Sequence, residues 1–185
     1  MEKETDKNKS VYAHGAEQGV MTGIYLTVLS LLLFYSGASA LLSGLAVGMV
    51  LAMPWLLFVV VRRYYRATGG TTDVTTMWLA GLMATFFGSL ICAMADYLWL
   101  EFVSPGFIFE QAQAALDTYK SLPDMRNTEL VTSLQRAIDG GLLPTPIEFV
   151  ANMILLTTFA GSITSLIAGF IVNALYKKSD QRGKL

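Results

Sequence analysis

The sequence is poor in cysteine, histidine and charge, and each scarcity excludes something. A single Cys92 cannot close a disulfide within the chain, and with a single His14 it cannot assemble a thiolate or imidazole metal cluster. Charged residues make up 15 % of the chain, against roughly 25 % in an ordinary globular protein. The 13 Lys and Arg are balanced by 14 Asp and Glu, so no basic excess points to a nucleic-acid partner. What fills the chain instead is apolar: 54 % of its 185 residues are hydrophobic, and the mean hydropathy is +0.50. A chain of this composition is expected in the lipid bilayer.

A membrane-crossing helix needs about 20 predominantly apolar residues. No charged residue lies between Glu17 and Arg62. As one helix that stretch would be roughly 65 Å long, twice the hydrocarbon thickness, so it must double back. Ser36-Gly37-Ala38-Ser39 is the expected turn, giving spans near residues 16–35 and 38–61. Pro54 lies inside the second and predicts a kink. The third run, Val74 to Ala95, follows the polar Thr68–Asp73 stretch, where Thr72 or Asp73 is placed to cap the helix. The fourth opens at Thr145-Pro146-Ile147-Glu148, with a Thr cap, Pro at the first helical position and Glu three after the cap, and ends at Tyr176-Lys177-Lys178.

Lys3, Lys7 and Lys9, an apolar run and Ala38-Ser39-Ala40 together imitate a cleaved secretory leader. Glu2, Glu4, Asp6 and Glu17 argue instead for an uncleaved span. Lys and Arg resist translocation, and ten of the 13 fall in the N-terminal tail, the second connection (Arg62, Arg63, Arg66) and the C-terminal tail (Lys177, Lys178, Arg182, Lys184). The remaining three, Lys120, Arg126 and Arg136, lie in the third connection among seven carboxylates. Both termini are therefore expected in the cytoplasm of a cell bounded by this membrane, with the third connection outside. Tyr97, Trp99 and Phe102 form an aromatic belt at the outer end, and Tyr64, Tyr65 and Tyr176 mark inner ends.

The third connection is too long for a bare loop. Ile108, Phe109, Ala112, Ala115, Leu116 and Tyr119 share one face of a helix expected to end at Pro123, after a Ser104-Pro105-Gly106 break. Leu130, Val131, Leu134, Ala137 and Ile138 share a face of a second, capped by Asn127 or Thr128 and stopped by Gly140-Gly141. This pair either lies as a lid on the bundle or lipid surface, or offers a docking surface to a partner helix. The organisation expected is a cytoplasmic tail 1–15, spans one to three within 16–103, an extracytoplasmic helical insert 104–144, span four within 145–177, and a cytoplasmic tail 178–185. The fold class is all-α, a polytopic four-helix membrane protein.

Joining helices in lipid yields little hydrophobic gain, so close approach through small residues must carry much of the packing. Each span offers such a stripe at four-residue spacing. These are Gly15, Gly19, Gly23 and Thr27; Ala40, Gly44, Gly48 and Ala52; Ala84, Gly88 and Cys92 leading to Asp96; and Thr157, Gly161, Ser165, Gly169 and Asn173. Whether some stripes face a second copy is open, and Gly44-xxx-Gly48 is the first place to look. Asp96 and Asn152 lie at similar depth and form the best candidate polar site, either a hydrated interface pair and interhelical glue or a proton- or ion-handling pair. His14 and Glu17, three apart, read either as a solvated helix entrance or as a proton-handling pair. Asn173 is expected to cap or bridge helices, Cys92 to be an inert buried thiol, and Gly69-Gly70 to be a turn. No nucleophile-base-orienter set, phosphate-cradling Gly loop, cofactor motif or pair of acids at catalytic depth is recognisable, so no enzyme activity, cofactor or metal is expected. The partners expected are the bilayer and a membrane protein or second copy, with no nucleic acid.

Gly15 to Tyr25 (GAEQGVMTGIY), Phe87 to Leu90, and above all Tyr97 to Gln113 (YLWLEFVSPGFIFEQAQ) give the chain a family look. It resembles a family of short bacterial inner-membrane proteins known as domain of unknown function 4199. The resemblance implies four spans with an outer helical insert, and carries no catalytic residues onto this sequence. The function expected is a non-catalytic accessory or assembly subunit, with a small-solute or lipid transporter using Asp96 and Asn152 as the alternative.

Overall fold

A computed structural model describes residues 10–122 and 128–182, without the side chains of Ala38 and of residues 177–182. Lys3, Lys7 and Lys9, the stop at Pro123, Arg126, the cap alternative Asn127, Lys184 and the side chains of Lys177, Lys178 and Arg182 lie outside that description. The described residues form helices and connections with no strand: α1 (Val11–Phe34), a 3-10 turn (Ser36–Ala38), α2 (Ala40–Ala67), α3 (Val74–Leu98) continued by a π-turn (Trp99–Val103), α4 (Phe107–Ser121), α5 (Glu129–Asp139) and α6 (Pro146–Arg182). Four stretches, Val11–Phe34, Ala40–Ala67, Val74–Val103 and Pro146–Tyr176, are long and apolar enough to cross a membrane.

Local chemistry sets the ends. Ser10 caps α1 by accepting from the Ala13 amide, so residues 11–15, expected in the tail, are helical. The first and second spans turn where the sequence loses its large side chains, and Ser39 accepts from Leu42 N–H to open α2. That helix continues through Pro54. Asp73, rather than Thr72, caps α3: its Oδ2 accepts from the Thr76 amide at 3.2 Å and its Oδ1 from the Thr76 hydroxyl at 2.5 Å. At α6 Glu148 reaches back to Thr145, accepting from its amide and its hydroxyl, both at 2.9 Å. The last helix runs on to Arg182, so residues 178–182, expected as tail, continue it.

The chain divides into two compact units, residues 1–94 with 153–185, and residues 95–152. In the first, α1 packs on α3 through glycine. A Cβ at Gly19 would come within 2.6 Å of Phe87 Cβ and one at Gly23 within 2.9 Å of Ile91 Cβ, while Gly15 would collide with Met83. Gly88 meets Thr22 from the other side at 3.0 Å. Against α6, Gly81 would meet Ser165 Cβ at 2.7 Å and Gly161 would meet Thr85 Cβ at 2.7 Å. Val61, Tyr64, Met77, Ala80, Ala168 and Val172 close the core between α2, α3 and α6. Several hydroxyls of the bundle are satisfied locally, Thr22 donating to Gln18 O, Thr27 to Gly23 O and Thr85 to Gly81 O, whereas the buried Ser165 Oγ has no hydrogen-bond partner among the described residues. Trp78 Nε1 bridges α3 to Ser162 at 3.1 Å, and the Tyr25 hydroxyl donates to Met49 O on α2.

The outward faces carry Leu41, Leu51, Trp55, Leu155 and Phe159, all two-thirds or more exposed. Apolar surface on that scale is unfavourable in water and natural in hydrocarbon. In the second unit α4 and α5 contribute Leu116 and Val131 to a small core, Lys120 Nζ donates to Gln135 Oε1 at 2.5 Å, and Gly141, at φ +63°, ends α5. Thr128 holds the N-cap position of α5.

Candidate functional site

Two polar places stand out, one in each unit. The buried positions of α3 and its π-turn step through Met77, Ala80, Gly81, Ala84, Thr85, Gly88, Ser89, Ala93, Asp96 and Leu100, a spacing of three and four that defines one packed face. Asp96 falls on that face and is 6 % exposed. It is enclosed rather than bathed at the interface, because helical phase, not depth, fixes the direction of its side chain. Asn152, its expected partner, lies on an exposed part of α6. The aromatic belt sits on helical backbone, with Trp99 edge-on to Phe107 at 5.0 Å and Phe102 exposed.

His14 also departs from expectation. Its ring is 6 % exposed and lies 5.1 Å from the Tyr64 ring, while Glu17 is exposed. The phase that turns Gly15 toward α3 turns His14 into the bundle as well. Cys92 is half-buried, with its Sγ 3.7 Å from Ser30 Oγ.

The second place is a cavity of about 510 Å³ at the end of the first unit that carries the α2–α3 connection. Tyr65, Gly70, Thr71, Thr72, Asp73, Val74 and Asn173 line it. The connection folds as it does because Gly69 and Gly70 take φ of +70° and +78°, which glycine adopts at little cost. The Thr71 hydroxyl then donates back to Thr68 O, and Thr72 donates to Thr68 Oγ1. The Tyr65 hydroxyl lies over Gly70, 3.4 Å from where a Cβ would be, and its ring leans on Tyr176 at 5.7 Å. The hydrogen bonds from Thr76 hold the Asp73 carboxyl below the usual carboxylate range. The sequence marks these residues only as a turn, a cap and a bridge. Asn173 comes a hundred residues after Asp73, and no spacing rule joins them. The cluster of Thr68, Thr71 and Thr72 is the one local signal of a polar lining.

Of the glycines expected to pack helices, Gly15, Gly19, Gly23, Gly88 and Gly161 face a neighbouring helix at close range, and Gly169 meets Val74 at an ordinary 3.5 Å. Ser165 is fully buried against Gly81. Gly44 and Gly48 have nothing within 4 Å of a would-be Cβ. Among the described residues no group of three His, Cys, Asp or Glu is placed to hold a metal ion.

Four apolar helices with outward-facing apolar side chains define a multi-pass helical membrane protein. The family model described as a protein of unknown function (DUF4199) matches residues 17–174, and the chain belongs to that family. No curated protein and no solved structure matches it.

Proposed function

We propose that the chain is a non-catalytic accessory or assembly subunit of a bacterial inner membrane, with both termini in the cytoplasm, and that it associates laterally through α2. The supporting observation is the contrast among its glycines. Those of α1, α3 and the middle of α6 meet a neighbouring helix of the same chain, as small-xxx-small packing requires, whereas Gly44 and Gly48 meet nothing. Leu41, Leu45 and Leu51 flank them, exposed. Orientation rests on the Lys and Arg distribution. In a Cys92→Ser background, single cysteines at positions 44 and 48 are expected to crosslink to a second copy or to a companion protein in native membranes. Absence of any crosslink, together with a monomer free of companions in mild detergent, would overturn the association. Turnover of a substrate by the purified protein would overturn the non-catalytic role.

A second reading is supported by Asp96, an enclosed carboxylate on the packed face of a span, a costly placement that often marks ion or solute handling. Flux in proteoliposomes that disappears with Asp96→Asn would favour transport over assembly.

A further inference from the structure

We propose that the cavity between Tyr65, the Gly70–Val74 connection and Asn173 is a binding site for a primary ammonium group, carried by an amine-headed phospholipid or by a small soluble amine. Its size, about 510 Å³, lies within the range of small-molecule sites, roughly 300–1,000 Å³.

The lining selects the charge. Among the described residues Asp73 is the one charged side chain on it, and this exposed carboxyl, already below the usual carboxylate range, is ionised at neutral pH. An anion would meet a fixed negative charge there, with no cation among the described lining residues. Besides the two bonds from Thr76, the amides of Thr75 and of Asp73 itself also face the carboxylate, so an ammonium is drawn to it by charge and finds its further acceptors on the rest of the wall. Among the described residues, neither the Tyr65 hydroxyl nor the Asn173 amide makes a hydrogen bond to the protein. Both residues line the cavity, and each side chain carries an oxygen able to accept. The Tyr65 ring adds a face that attracts cations. A group with one positive charge and three N–H donors fits a wall made of one carboxylate, one carbonyl oxygen and hydroxyls. A divalent metal ion does not, because one carboxylate is too few hard ligands.

The neighbourhood distinguishes the two carriers. The Arg62 guanidinium lies 5.5 Å from the Tyr176 ring centroid, and that ring leans on Tyr65. Arg62 thus lies behind the Tyr176 ring rather than on the wall, and a phosphate is the only part of either carrier that a guanidinium would attract.

The test is titration calorimetry on the purified full-length protein in mild detergent, with ethanolamine, a short diamine, dihexanoyl phosphatidylethanolamine and dihexanoyl phosphatidylcholine as probes. At least one primary-amine probe is expected to bind, with the quaternary phosphatidylcholine about tenfold or more weaker, since it has no N–H to donate. Asp73→Asn keeps a side chain able to cap α3 but removes the charge, and is expected to weaken binding by about tenfold or more. Asn173→Leu, on another helix, should weaken it as well. Binding confined to the amine-headed lipid and reduced by Arg62→Gln identifies a headgroup, while equal binding of ethanolamine or the diamine identifies a soluble amine. The proposal fails if folded protein binds no primary-amine probe, if the two lipids bind equally, or if both Asp73→Asn and Asn173→Leu retain wild-type affinity.

Discussion

Gly161 on α6 lies so close to Thr85 on α3 that a methyl group in place of its hydrogen would come within 2.7 Å of Thr85 Cβ. Thr85 is fully buried and its hydroxyl is tied to Gly81 O at 2.9 Å, so it has little room to yield. Gly161→Ala is therefore expected to destabilise the bundle by about 1–3 kcal/mol, the usual range for overpacking. Gly44→Ala faces open space and should be neutral or gain up to about 1 kcal/mol from helix propensity. Thermal midpoints of the two variants in detergent check the difference, and equal midpoints would remove the close α3–α6 contact.

Cys92 offers a probe of the same bundle. It is half-buried beside Ser30 on a helix within the apolar stretch, where a water-borne reagent has little access to it. Labelling by a water-soluble maleimide should be slow in the folded protein and fast in denaturing detergent. Similar rates in both would mean that water reaches this depth of α3.

What the sequence makes legible depends on how far apart the cooperating residues lie. The spans are plain because a charge-free run is a property of one segment, and the α6 cap is plain because Thr145 and Glu148 are three apart. The burial of Asp96 is half-legible. Its phase with Ala84, Gly88 and Cys92 puts it on the small-residue stripe, but the nearby Tyr97, Trp99 and Glu101 suggest solvent. The burial of His14 depends on which face α1 turns toward Tyr64, fifty residues later, and the Asp73–Asn173 cavity depends on how α6 returns. Neither has a local signature. The π-turn at Trp99–Val103 is equally silent, since nothing in WLEFV distinguishes it from α-helix.

The Thr145–Glu148 pair should behave as one unit. Both bonds run to a single carboxylate oxygen, Glu148 Oε2, so Glu148→Ala loses both, whereas Thr145→Ala loses the hydroxyl bond and keeps the backbone one. Glu148→Ala is therefore expected to speed hydrogen exchange at the residue 145 amide more than Thr145→Ala does, and the double variant should add little to Glu148→Ala alone. Additive effects would show that the two side chains act separately.

Acid should release the α3 cap. The Asp73 carboxyl is held below its ordinary value of 3.8 by its hydrogen bonds to Thr76. A carboxyl whose folded value is lowered contributes stability that is fully present above the unfolded value and is lost as pH falls through the folded one. The wild-type thermal midpoint should therefore carry a component that is constant above the ordinary 3.8 and declines below it as the carboxylate is protonated. Asp73→Asn keeps an acceptor for the Thr76 amide but has no proton to gain, so the variant should lack that component and its curve should converge on the wild type in acid. If both curves fall in parallel, the cap is not the group that acid removes.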